Sequence, residues 1–175
     1  MAERTDTTRV RIEPWADGDL ALLHSLNSPE MTEHLGGPEP EERLLERHRR
    51  YLRVGDQGSG RMFRIVLLPD LETAGSIGYW ERSWRDRTVY ETGWGVLPPF
   101  RKRGIAVAAG RELIAAARAE RRHRHLHAFP SVTHEASNAV CRRLGFSLLG
   151  EYDFEYPKGS WLRSNDWCLE LTPGR

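Results

Sequence analysis

The run from Tyr90 to Glu120, YETGWGV then LPPFRKRGIA then VAAGRELIAAARAE, admits few arrangements. The residues up to Val96 read as a strand, Pro98 and Pro99 interrupt it, and an alanine-rich helix starts at Ile105. Between them stand Arg101, Lys102 and Arg103 with one glycine, Gly104, whose missing side chain lets the backbone turn tightly and approach a ligand. Unpaired N–H groups at a helix N-terminus carry partial positive charge. A strand that feeds such a terminus through three cations therefore builds a seat for a phosphate group.

The rest of the chain suffices for walls around that seat and no more. Its 175 residues suit one domain, 1–175, that buries roughly 70% of the surface its unfolded form would expose. Twenty-six Lys and Arg residues against 25 acidic ones leave no general polyanion-binding signature, so no nucleic-acid partner is expected. The runs RLLERHRRYLR and RAERRHRHLH then read as a solvated helix face and as cations at a negative helix end. Only Cys141 and Cys168 are present, without C-x-x-C spacing, and no apolar leader follows Met1. Reduced thiols and a cytoplasmic location are expected, with no membrane partner.

Along the chain, Arg9 to Ile12 reads as a strand ended by Pro14, and Asp17 as the cap of a helix carrying Leu20, Leu23 and Leu26. Ser28-Pro29 opens a short helix through His34 that stops at Gly36-Gly37, and Pro40 to Val54 is a third. Met62–Leu68, Ser76–Glu81 and Thr88–Val96 form an antiparallel meander, turned at Pro69-Asp70 and at Arg85-Asp86-Arg87. The helix from Ile105 keeps Ile105, Ala109, Leu113 and Ala117 on one stripe. A strand over His125–Phe129 follows, then a helix with Ala136, Val140 and Leu144 in register and Gly145 behind it. Phe146–Phe154 and Asp166–Leu171 are the last strands, joined through Pro157-Lys158-Gly159-Ser160. His123, His125 and His127 alternate as if along one strand face, but no carboxylate completes a ligand set, so no metal is expected.

The turn Arg101 to Ala106 fits [QR]-x-x-G-x-[GA]. It lacks the Gly-Lys-Ser/Thr of a Walker loop and the further glycines of a dinucleotide fingerprint. Upstream lies Glu91-Thr92-Gly93-Trp94-Gly95-Val96-Leu97-Pro98, and downstream Ala136-Ser137-Asn138 with Leu144-Gly145-Phe146. With these three motifs in this order, the chain resembles the GNAT superfamily of acyl-CoA-dependent N-acyltransferases, most closely the branch with ribosomal-protein N-terminal acetyltransferases. The resemblance implies an α/β fold: a mixed, mainly antiparallel sheet of about seven strands flanked by helices.

It also implies acetyl-CoA as co-substrate and an amine acceptor, a small molecule or a protein N-terminus, handled by a monomer or homodimer. Backbone near Gly95 and Val96 would pair with the pantetheine arm as an added strand does, beside a β-bulge that splays the sheet. The turn Arg101, Lys102, Arg103, Gly104, Ile105, Ala106 would hold the pyrophosphate, with Asn138 and Arg142 as further coenzyme contacts. Glu91 matches the usual general base, its alternative being a strand carboxylate paired with Arg82 or Arg87. Trp15, Leu35, Trp80 and Trp84 are candidates for the acceptor pocket.

The tyrosine that many relatives use to protonate the departing thiolate is replaced by Cys141, which reads as helix packing. Water or Tyr152 stands in for the acid, or none is needed. His134 stands where the branch tends to carry asparagine, and reads as a second proton-handling candidate or a loop residue. Without the tyrosine, a non-catalytic acyl-CoA-binding module is the alternative to an enzyme.

Overall fold

The computed structural model describes residues 8–155 and 158–172. Among these residues seven strands form one sheet in the order β1-β2-β3-β4-β5-β7-β6. They are β1 (Val10–Pro14), β2 (Gly60–Leu67), β3 (Glu72–Trp84), β4 (Arg87–Val96), β5 (His125–Ala128), β6 (Ser147–Glu155) and β7 (Trp161–Glu170). Every neighbouring pair is antiparallel except β4 and β5. Parallel neighbours need a crossover, and the helix α3 between them supplies it.

Among the described residues four α-helices cover the sheet: α1 (Leu20–Leu26), α2 (Glu41–Asp56), α3 (Ile105–Glu120) and α4 (Glu135–Arg143). The expected stripe of α3 is its buried face, with Ile105, Ala109, Leu113 and Ala117 almost solvent-free against Ile77, Tyr79, Tyr90 and Leu126. On the opposite face, α1 and α2 cover the β2–β3 side with a smaller cluster of Trp15, Leu22, Leu23, Leu44 and Met62. Among the described residues no helix is long and apolar enough to cross a membrane.

Several local expectations change. Asp17 to Asp19 is a single 3₁₀ turn, and Asp19 rather than Asp17 accepts a backbone N–H, that of Ala16, at 2.8 Å before α1 begins. Ser28 to His34 is not an α-helix. Turns replace it, with the Met31 N–H donating to Ser28 Oγ at 3.3 Å and a 3₁₀ turn over Glu33–Leu35 ending at left-handed Gly36. β7 starts five residues earlier than expected because it pairs along the whole of β6, from Glu155–Trp161 onwards. Pro157 of the expected turn lies outside the described residues.

The inward face of α4 is rotated from the apolar stripe. Ala136 is exposed, while Ser137, Asn138 and Cys141 are buried. The cause is hydrogen bonding. Asn138 Oδ1 accepts the Trp167 indole N–H and the Asn165 amide, both at 2.8 Å, and its amide donates to the Ser131 and His134 carbonyls, both at 2.9 Å. Leaving a core indole N–H unsatisfied costs more than exposing a methyl group.

Candidate active site

β4 and β5 pair only over Tyr90–Leu126, Glu91–His127 and Thr92–Ala128. β5 then ends, while β4 runs on to Val96, so Gly93 to Val96 present a strand edge to a wedge-shaped gap. The expected β-bulge is absent from the β3–β4 ladder, whose register runs unbroken from Gly75–Val96 to Trp84–Arg87. The short β5, not a bulge in β4, opens the sheet. Glycine at 93 and 95 has a packing reason: a Cβ would lie 3.1 Å from the Trp80 ring at Gly93 and 3.2 Å from Leu26 at Gly95.

The basic turn lies beyond the open end of the gap. Lys102 and Gly104 adopt left-handed conformations, φ 59° and 72°, and Gly104 caps α3. Left-handed residues in a turn cup backbone N–H groups into an anion-binding concavity, here at the positive end of a 16-residue helix. Arg101, Lys102, Arg103 and Gly104 are exposed, whereas Ile105 is buried and anchors the helix. The Arg101 guanidinium donates to Glu30 at 2.8 Å, tying the turn to the segment between α1 and α2. That segment reaches the other wall of the gap through the His34 ring, stacked on His134 at 4.1 Å. Burial, then the neighbouring His34 and Arg101, lower the His134 pKa and favour its neutral imidazole.

Paired residues of adjacent strands share a face, so Glu91 and His127 lie together on the face opposite α3, where the gap closes. Glu91 is half-buried and accepts the Trp80 indole N–H at 3.1 Å and the Arg82 guanidinium at 2.9 Å. Arg82 is set among Phe129, Phe154 and Trp84, at 4.8, 5.0 and 5.6 Å from the ring centroids. Trp80, Trp84 and Glu91 are thus brought together. Exposed Leu35 lies beside His34, and Trp15 is instead buried in the second core, donating to His48 at 3.0 Å.

The structure does not bring Asn138 to the gap, because all four of its side-chain hydrogen-bonding positions are taken within the protein. Arg142 is exposed, its guanidinium 5.8 Å from the Trp167 ring centroid. Cys141 is solvent-free, and burial pushes its thiol up to about 12, which removes it as an acid. Tyr152 packs edge-on to Trp84 at 5.2 Å, under the Arg85 guanidinium.

A profile of the acetyltransferase (GNAT) domain matches residues 9–147. The chain belongs to the GNAT acetyltransferase family. It is an acetyl-CoA-dependent acetyltransferase. Solved GNAT structures share its fold. One is a Bacillus anthracis acetyltransferase (TM-score 0.75, 17% identity, 93% of this chain and 95% of that one). Another is a Salmonella typhimurium enzyme described as modifying the N-terminal serine of ribosomal protein L7/L12 (0.76, 19%, 94% and 96%). A third is Vibrio cholerae spermidine N-acetyltransferase, solved with CoA and spermine (0.75, 16%, 93% and 95%). No curated protein sequence matches the chain.

The sequence missed a buried pair in this acetyltransferase: His127 Nδ1–H donates to Asp166 Oδ1 at 2.6 Å, and Trp84 Nε1 donates to Asp166 Oδ2 at 3.0 Å. Alternation marked His127, but nothing local marks Asp166, which faces it only through the β5–β7 register. The three histidines do not converge. His123 bonds Glu81 on the α3 face at 2.7 Å, and among the described residues no group of metal-ligating side chains forms. The basic runs are partly neutralised within the fold: Arg122 pairs with Glu81, Arg124 with Glu170 and Arg47 with Glu39.

Proposed function

We propose that the chain moves the acetyl group of acetyl-CoA to a primary amine by direct attack, with Glu91 receiving the amine. The supporting observation is the place of Glu91 at the closed end of the gap, on the sheet face that α3 leaves open. The pyrophosphate fits the cupped N–H groups and cations of Arg101 to Ala106, and the pantetheine amides fit the unpaired edge of Gly93 to Val96.

An amine arrives as ammonium and must lose a proton before attack. For a lysine-like amine this costs about 4 to 5 kcal/mol at pH 7, for an α-amine about 1 kcal/mol. The Glu91 carboxylate is already bonded to Arg82 and Trp80. Glu91 therefore works by exchange: the acceptor ammonium displaces the Arg82 guanidinium, and its proton leaves through the carboxylate or a water held there. The aromatic rings around Arg82, with Trp80 beside Glu91, make the walls for a cationic acceptor, a small amine or a peptide N-terminus.

Mass-spectrometric screening of amines and N-terminal peptides with acetyl-CoA identifies the acceptor by the gain of one acetyl group. With that acceptor, Glu91→Gln lowers kcat by about 100-fold or more while calorimetric acetyl-CoA affinity holds. An unchanged kcat across pH overturns the assignment of Glu91.

A further inference from the structure

We propose that His127, held by Asp166, is the proton donor to the departing thiolate of the acyl-CoA donor. The inference rests on the acetyl-transfer reading but not on the role of Glu91. Pairing between β4 and β5 stops at Thr92–Ala128, one position past Glu91–His127. A donor whose pyrophosphate sits on the turn after β4 runs back along Gly93 to Val96, four residues spanning roughly 13 Å. Its sulfur then lies at the closed end, beside the one buried imidazole on that face of β4 and β5.

The surroundings fix which nitrogen can give a proton. Asp166 is solvent-free and both its oxygens are bonded, one by His127 Nδ1–H and the other by the Trp84 indole. Nδ1 is committed, and Nε2 carries the proton that can leave. The Phe129 ring lies nearly parallel to the imidazole, 16° between planes, and fixes its tilt. The groups that face His127 are Asp166 and Cys168 from β7, Glu91 with its partner Arg82 from β4 and β3, and His125 on β5, 6.4 Å away between ring centroids. Burial pulls the imidazolium pKa down, but the Asp166 hydrogen bond and the adjoining Cys168 outweigh it and hold it at about 9. His127 is thus a cation at neutral pH, with an acidity close to that of a thiol, about 8.5, as efficient proton transfer favours.

In the step itself, the tetrahedral adduct of amine and thioester collapses and the C–S bond breaks with its electron pair going to sulfur. The Nε2 proton forms the new S–H bond, leaving neutral His127 with Nδ1–H still on Asp166. The extra proton on the new amide nitrogen leaves through Glu91 or water. After CoA departs, solvent reprotonates Nε2.

The test needs no acceptor. CoA is bound to the wild type, to His127→Gln and to Asp166→Asn, with binding followed by calorimetry. Ionisation of the bound thiol is followed by thiolate ultraviolet absorbance against pH. In the wild type the bound thiol should ionise about one pH unit or more below free CoA, because a cation faces it. The displacement should vanish in His127→Gln, and shrink in Asp166→Asn, where the imidazolium is no longer held. A role confined to structure leaves the bound thiol unmoved. If His127→Gln does not fold, Asp166→Asn gives the same comparison. Equal ionisation in wild type and variants with CoA bound overturns the proposal alone. Failure of the wild type to bind CoA overturns the acetyl-transfer reading, and this proposal with it.

Discussion

The His127–Asp166 pair makes stability depend on pH in a way that can be worked through. The folded pKa of His127 is about 9 against 6.5 for the free side chain, so the folded state holds its proton more tightly. A group raised on folding contributes its full stabilisation below pH 6.5 and loses it as pH rises through 9. The difference between these values corresponds to about 3 kcal/mol, most of it still present at pH 7 and nearly all gone by pH 10. For a chain of this length that amounts to a Tm lower by roughly 5 to 10 °C at pH 10 than at pH 7. Burial, then the Glu120 hydrogen bond, raises the Tyr79 pKa well above the ordinary tyrosine value, which also ties stability to alkaline pH through the unfolded state, so the informative quantity is the difference between wild type and Asp166→Asn. Urea unfolding of both proteins at fixed ionic strength should show that difference shrinking by about 2 to 3 kcal/mol between pH 7 and pH 10. A difference that stays constant across the range refutes the reasoning, because it would mean that His127 is neutral in the folded protein.

Two further substitutions separate scaffold from site. Asn138→Ala strands the Trp167 indole, the Asn165 amide and two carbonyls. It should cost about 3 kcal/mol in urea unfolding, and a loss below about 1 kcal/mol would deny the latch read from its four bonds. Lys102→Gly relieves a left-handed side chain, so stability should hold or rise by up to about 1 kcal/mol, while calorimetric acetyl-CoA affinity falls severalfold with the lost cation. Clear destabilisation, or unchanged affinity, would remove the turn from the phosphate site.

Where one segment decides, the sequence was legible. The α3 stripe, the tight turn at Gly104 and the strand before it follow from periodicity and glycine chemistry, and all are present. The seven strands were also readable from the turn residues that bound them, although β3 runs over Glu72–Trp84 where only Ser76–Glu81 was expected. What failed depended on partners distant in sequence. The face of α4 is set by Trp167 and Asn165, 29 and 27 residues away, and the length of β7 by its register with β6. The Asp166 carboxylate is invisible locally for the same reason: 39 residues separate it from His127. The segment after Ser28 shows the converse: Ser28 Oγ accepts the Met31 N–H as a cap would, yet turns follow in place of the expected helix.

The misread face of α4 and the missing acid have one origin. Once Asn138 turns inward to satisfy Trp167, Cys141, three residues on, must turn inward too, onto the same buried side of the helix. There it packs among core side chains, solvent-free and with its thiol pushed up to about 12, so α4 offers no proton to the gap from that position. The sheet makes up for this at the point where β4 and β5 part. The register sets the Glu91 carboxylate beside the His127 imidazole. The β7 carboxylate that keeps the imidazole charged is itself fixed by an indole from β3. On the two proposals made above, proton removal and proton supply sit on adjacent strands, one residue from the end of their pairing. Direct transfer needs them there, because the C–N bond forms and the C–S bond breaks on the same carbon.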